Sequence, residues 1–310
     1  MNVILTAIGS MSALCAINKL HQAGHTVIGC DIYPKEWHYE ASLCDVFRQA
    51  PFANNPSEYI PFLVKLAKEN EVQYIIPLTD LEIDVLNEHH SIFDENGIVI
   101  CMPSAETLSI VRNKFVLSEV FKNDSKVPSI PTYTYLDDLT RLTFPCVAKP
   151  RNGRSSEGLY YLQSASQLNG LKDIERYIFQ EKIEGRVCTV DFVRNLYTDE
   201  TFCVPREELL RTVNGAGITV RIFRDSILEE LVTYIGKKLG ICGVVNMEFI
   251  KNSKGYYLID INPRFSAGIA FSCKTNYDFI KAHLDSFVGL PIQKPVEFEE
   301  RIEVKYYTEK

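Results

Sequence analysis

What the sequence lacks narrows the field first. Its 310 residues contain no apolar run approaching the roughly 20 residues that cross a bilayer. The N-terminal Met1-Asn2-Val3-Ile4-Leu5 carries no basic segment and turns polar too early for a signal peptide. Nine cysteines are present but no Cys-x-x-Cys pair. That odd number, in mostly apolar surroundings, reads as buried reduced thiols in a cytoplasmic protein. The six histidines lack metal-ligand spacing, and His89-His90 reads as a solvated helix end. No long basic run accompanies the net charge of −7, so nothing marks a nucleic-acid partner. The Walker pattern Gly-x-x-x-x-Gly-Lys-[Ser/Thr] and the dinucleotide pattern Gly-x-Gly-x-x-Gly are both missing. Internal repeats and low-complexity segments are also missing.

What is there is ordinary globular composition, 46% hydrophobic and 24% charged, in a chain long enough for two or three subdomains. The first third alternates strand and helix. Strands are expected at 3–7, 26–31, 73–77 and 97–101, and helices at 11–23, 57–69 and 81–89. Alternation of this kind implies a parallel sheet, a small Rossmann-like unit. A helix over 105–121 closes it, and the prolines of 124–131 mark a boundary. Beyond residue 133 strands dominate, at 145–149, 158–162, 177–183 and 189–193. A helix near 226–239 opens on Ser226-x-x-Glu229, a capping box. Strands 244–250 and 256–261 flank a polar turn and read as a hairpin, followed by a last helix at about 277–288.

The hairpin carries the most specific chemistry. Side chains alternate along a strand, so Asn246 and Glu248 share a face, as do Asp260, Asn262 and Arg264. A turn centred near Lys254 sets Glu248 opposite Asp260, with Cβ atoms roughly 5 Å apart. Two facing carboxylates beside an amide form an oxygen-rich pocket suited to Mg²⁺, and without a cation they would repel. Arg264 adds a fork of donors for phosphate oxygens. Upstream, the apolar strand Pro145-Cys-Val-Ala-Lys149 delivers a lysine to a loop with two glycines and two serines, Ser155 among them. Backbone N–H groups in such a loop can cradle phosphates. The stretch Tyr177-Ile-Phe-Gln-Glu181-Lys182-Ile183-Glu184-Gly185 is extended and could bond an adenine edge. Arg206, Arg211 and Arg221 are candidates to grip an anionic substrate or acyl phosphate. Ordinary arginines paired with Glu207 and Glu208 would look the same. Gly9, between a strand and a helix with Asp31 after the next strand, reads as a tight turn and not a dinucleotide site.

Together and in this order the segments resemble the ATP-grasp superfamily over nearly the whole chain. The likeness is strongest to one synthetase half of the carbamoyl-phosphate synthetase large chain and to stand-alone carboxylate–amine ligases. The matching segments are Val27-Ile-Gly-Cys-Asp31 and Ile75-Ile-Pro77-Leu-Thr-Asp80 in the first domain, then Arg112-Asn-Lys114, Val147-Ala-Lys149-Pro150, Gln180–Gly185, Asn246-Met-Glu248 and Ile259-Asp260-Ile-Asn262-Pro263-Arg264-Phe265. The resemblance implies an α/β fold with α+β grasp lobes. A Rossmann-like domain would span 1–110, and two ATP-grasp lobes 111–185 and 186–310. It implies ATP and Mg²⁺, with Mn²⁺ as an alternative ion. Lys114, Lys149 and Ser155 would lie on the phosphates, and Glu181, Lys182, Ile183 and Glu184 on the nucleoside. Glu248, Asp260 and Asn262 would hold the metal, and Arg264, Lys149, Arg206 and Arg211 would serve the chemistry. Two departures stand out. The family's ribose-binding glutamate after the linker glycine is replaced by Arg186-Val187-Cys188, leaving Glu184 or Asp191 to substitute. Asp260 stands where glutamate is commoner.

The activity so implied is a ligase that phosphorylates a small, amino-acid-like carboxylate for attack by an amine, releasing ADP and phosphate. The alternatives are phosphorylation of carbamate or bicarbonate, and a regulatory ATP-binding protein without turnover. An NAD oxidoreductase is disfavoured by the first loop. The partners implied are small molecules, with pairing into a homodimer.

Overall fold

The computed structural model describes residues 1–153, 157–213 and 215–306, and its strands form three sheets. The first is parallel throughout, in the order β3-β2-β1-β4-β5. Its strands are β1 (Asn2–Leu5), β2 (Thr26–Asp31), β3 (Val46–Gln49), β4 (Tyr74–Ile76) and β5 (Val99–Ile100). The connections carry α1 (Ala13–Gln22), α2 (Pro56–Glu69), α3 (Asp80–Glu88) and α4 (His90–Glu95). Val3, Ile4, Leu5, Val27 and Ile75 are fully buried, as a sheet covered on both faces requires. The first strand stops at Leu5 and not at residue 7, because Ala7 takes a φ of 47° and opens a turn closed by the Ser10 N–H. Edge strand β3 escaped the sequence reading, since its half-exposed residues show no clean alternation.

The single helix expected over 105–121 is two, α5 (Ala105–Val111) and α6 (Lys114–Phe121). Asn113 breaks it: its backbone is extended and its side-chain Oδ1 accepts the N–H groups of Phe115 and Val116. An N-cap cannot lie inside a helix, so the break places Lys114 at a helix start. The second sheet is antiparallel, ordered β6-β9-β7-β8 from β6 (Thr132–Tyr133), β7 (Cys146–Pro150), β8 (Tyr160–Leu162) and β9 (Tyr177–Glu181).

The third sheet, ordered β14-β13-β10-β11-β12-β15, is antiparallel. It consists of β10 (Arg186–Arg194), β11 (Thr201–Arg211), β12 (Gly217–Ile222), β13 (Gly243–Asn252), β14 (Gly255–Asn262) and β15 (Arg301–Val304). The helices α7 (Ser226–Lys238), α8 (Ile269–Cys273) and α9 (Phe279–Val288) flank it. Neighbours along a strand point to opposite faces: Phe192 joins the core that holds α7, and Val193 the core that holds α9. Strand β11, buried on both faces over Phe202–Glu207, gave no period-2 signal and went unread. The capping box at Ser226 is also corrected. Asp225 is the N-cap, accepting from Ile227 and Leu228, while Glu229 holds Arg224. The supposed boundary at 124–131 is anchored to α7, since Asp124 accepts from Tyr234 and Lys238.

Candidate active site

The hairpin of β13 and β14 turns at Ser253-Lys254, with Asn252 paired to Gly255. Counted strictly from that turn, Ile259 would face Glu248. The ladder instead shifts by one residue between Phe249↔Leu258 and Glu248↔Asp260, a β-bulge at Ile259. The bulge brings Asp260 opposite Glu248 and Asn262 opposite Asn246. It also frees the Ile259 carbonyl, which accepts the Lys149 ammonium at 3.0 Å.

Burial, and then the neighbouring Asp260, push the Glu248 carboxyl above its usual range, against the pull of Arg211 and Lys114. The Lys114 Nζ stands 2.9 Å from Asp260, and an Arg211 Nη 3.7 Å from Glu248. Asn262 donates its amide N–H to Glu248 at 3.2 Å, leaving its carbonyl oxygen for a cation. Among the described residues no group of three or more His, Cys, Asp or Glu gathers for a metal; the Asn262 amide is the third oxygen-bearing group beside Glu248 and Asp260. Two carboxylates and an amide oxygen suit a hard ion such as Mg²⁺, which keeps several waters.

Two cavities meet at this hairpin. One, of about 310 Å³, lies between the second and third sheets. Its polar rim includes Lys114, Lys149, Glu157 and Glu181–Gly185, and its apolar walls include Val147, Tyr161, Val187 and Ile250. The extended run 182–185 crosses it because Gly185 lets the chain pass Lys251: a Cβ there would lie 2.3 Å from the Lys251 carbonyl oxygen. Burial, with a smaller push from Lys114, brings the Lys149 ammonium down to about 8 against the opposing pull of Asp260 and Glu248. Ser155 lies outside the described residues.

The second cavity, of about 710 Å³, lies between the first and third sheets. Ser10, Ser12, Thr79 and Asp80 line it from one side, and Thr189, Arg206, Glu208, Asn262 and Arg264 from the other. Arg211, Glu248 and Asp260 line both cavities. Arg264 donates through Nε and Nη2 to Asp80 Oδ2, at 2.9 and 2.7 Å, and through Nη1 to the Phe265 carbonyl. Glu208 accepts from Thr189. Sequence reasoning missed Asp80, Glu157 and Glu208, whose local patterns carry no signal of what packs across from them.

The remaining expected residues divide. Arg206 is 1% exposed and bound to Asp191, Ser272, Thr189 and Ser266, so it braces the cavity floor more than it offers free donors. Asp191, fully buried on Arg206, is no candidate for ribose, which leaves Glu184. Arg221 pairs with Glu207 and Glu300 away from both cavities. At the first loop, Gly9 and Tyr33 donate their N–H groups to Asp31, and His38 packs where a Gly9 Cβ would be. That filled corner has no room for a dinucleotide.

A nucleotide-sized cleft between two sheets, walled by lysines and closed by a carboxylate hairpin, defines a nucleotide-dependent phosphoryl-transfer enzyme. Comparison with known families agrees: the ATP-grasp domain matches residues 111–268, and the PylC-like N-terminal domain matches residues 3–101. The chain belongs to the ATP-grasp family of ADP-forming, ATP-dependent ligases, whose cofactors are ATP and Mg²⁺.

Among curated proteins, the chain is similar to the formate-dependent phosphoribosylglycinamide formyltransferase of Bacteroides fragilis. They are 24% identical over 94% of this chain and 78% of that protein. It is also similar to the carbamoyl phosphate synthase large chain of Thermoplasma volcanium, 23% identical over 90% of this chain but only 28% of that much longer protein. Among solved structures, the biotin carboxylase domain of Hydrogenobacter thermophilus 2-oxoglutarate carboxylase shares the fold with a TM-score of 0.79. That likeness is 18% identical and covers 97% of this chain and 74% of that one. Among the described residues no helix is long and apolar enough to cross a membrane.

Proposed function

We propose that this chain phosphorylates a small carboxylate with ATP and passes the acyl group to an amine. The observation that carries the reading is the shared wall: Arg211, Glu248 and Asp260 face both the 310 Å³ and the 710 Å³ cavity. A γ-phosphoryl group held at that wall is open to a nucleophile from the larger cavity. In the first step a carboxylate oxygen bonds to the γ-phosphorus as the bond to ADP breaks. In the second, the amine attacks the acyl carbon, loses a proton, and expels phosphate. Lys114 and Lys149 lie on the phosphates, Glu181–Ile183 on adenine and Glu184 on ribose. Glu248, Asp260 and Asn262 would hold Mg²⁺, which neutralises phosphate charge when bound. Arg211 and Arg264 steady the transferring group. Arg206 fixes the cavity floor.

An amino-acid-like carboxylate is favoured because the larger cavity presents both signs of charge, Arg211 and Arg264 beside Asp80 and Glu208. Formate or carbamate is the second reading, favoured by the names of the similar formate-dependent formyltransferase and carbamoyl phosphate synthase. The division into 1–110, 111–185 and 186–310 is supported by one sheet falling in each span. Homodimer formation is carried by likeness alone, since the biotin carboxylase domain was solved as a dimer.

Hydroxylamine trapping tests the reading. Protein, ATP, Mg²⁺, hydroxylamine and pooled carboxylates, including formate, bicarbonate and amino acids, should yield a hydroxamate with matching ADP. Asp260→Asn should lower that yield at least 100-fold. ATP binding with no hydroxamate and no carboxylate-stimulated ADP from the whole pool would instead favour a regulatory protein.

A further inference from the structure

The grasp of Arg264 by the start of α3 is unexpected from the hairpin alone. Arg264 follows β14 by two residues, whereas Asp80 begins α3 at the end of the β4 connection, 184 residues away in sequence. Both line the larger cavity. Asp80 is 4% exposed. Its Oδ2 takes two N–H groups of Arg264, and its Oδ1 takes one from Arg112 at 3.3 Å. Arg112 in turn chelates Asp84 through Nε and Nη2, at 2.8 and 2.7 Å. Burial opposes the charge on Asp80, but the Arg264 and Arg112 guanidiniums outweigh it and hold the carboxyl below its usual range.

We infer that Asp80 is a positioning residue that fixes Arg264 for the transferring phosphoryl group, making the start of α3 part of the catalytic machinery. This rests on the reading of Arg264 given above. A guanidinium has five N–H groups in a rigid fork. Three are engaged, by Asp80 and the Phe265 carbonyl. Two remain, one on each Nη, held in one plane and with no rotamer freedom left to lose. An arginine set this way meets a developing charge without reorganising, which is the source of its value in the transition state. The same carboxylate contacts Arg112, two residues before Lys114.

The test needs no knowledge of the carboxylate. MgADP and MgADP with fluoroaluminate, a mimic of the phosphoryl group in flight, are titrated into four proteins: wild type, Arg264→Ala, Asp80→Asn and the double variant. Wild type should bind the fluoroaluminate complex at least 100-fold more tightly than MgADP. Arg264→Ala should lose at least tenfold of that gain. Asp80→Asn should lose a similar factor with MgADP affinity unchanged within about twofold, which a general structural defect would not spare. The double variant should be no worse than Arg264→Ala, because the two residues act as one unit. Asp80→Glu, which keeps the charge, should recover part of the loss.

If wild type shows no gain, or Arg264→Ala keeps it, the reading of Arg264 fails. If Arg264→Ala loses the gain but Asp80→Asn keeps it, or the two losses add, the assignment of Asp80 alone is overturned. Loss of MgADP binding in Asp80→Asn would likewise overturn it in favour of a scaffold role.

Discussion

At neutral pH the ammonium of Lys149 sits in a place that disfavours it. It is 8% exposed, it donates to the Ile259 carbonyl, and Lys114 stands nearby. Burial pushes its pKa down to about 8 from 10.5. The sign of the consequence follows from the ligand's charge. A polyphosphate favours the charged amine, so binding raises the pKa, and affinity falls as pH climbs through the value of the free protein. Affinity for MgATP should therefore be flat below pH about 8 and fall above it, by at most roughly tenfold per pH unit. Titrations from pH 7 to 9.5 check this. Lys149→Met should bind more weakly throughout and lose that dependence, and an unchanged pH profile in the variant would remove Lys149 from the phosphates.

At the scale of elements, the third sheet is positioned by close approaches that a small residue permits. Helix α7 lies on Phe192 through Gly236, where a Cβ would stand 2.3 Å from Cε1 and 2.4 Å from Cζ. Phe192 is fully buried and cannot swing clear. Alanine would gain about 1 kcal/mol of helix propensity, but overpacking a filled core costs about 1–3 kcal/mol. Gly236→Ala should therefore destabilise by up to roughly 2 kcal/mol in denaturant titration, a stabilised variant showing that α7 can slide. The hairpin gives the complementary lesson. Its turn is tight, and only the extra residue at Ile259 sets Asp260 against Glu248.

Over the whole molecule, the smaller cavity takes walls from two sheets, and the end of the hairpin that closes it touches α3 of the N-terminal unit through Arg264 and Asp80. A ligand bound there should stabilise all three parts together. At 100 times its dissociation constant, MgATP is worth about 2.7 kcal/mol against unfolding. Thermal melts should show one transition moving upward with MgATP, and Glu248→Lys, which places a cation where Mg²⁺ is proposed, should abolish most of the shift. Separate transitions, with only one responding, would mean that the contacts between sheets are too weak to couple them.

Much of this was already determined by the sequence. Short apolar runs alternating with helical spacing revealed the parallel sheet, and the shared-face spacing of Asn246, Glu248, Asp260 and Asn262 revealed the hairpin. The order of Lys114, Lys149, Glu181–Gly185, Glu248, Asp260 and Arg264 carried the family likeness, since those segments lie on local elements. What left no such trace was decided in three dimensions. Strand β11 is buried on both faces and shows no alternation. Asn113 looked like one more residue of a helix until its side chain was seen capping the next. Arg206 and Arg221 have the same charge in sequence, yet one is sunk beneath a cavity and the other is paired at the surface. The contact of Asp80 with Arg264 spans 184 residues. A partner at that separation is chosen by how sheets pack, and no spacing along the chain records it.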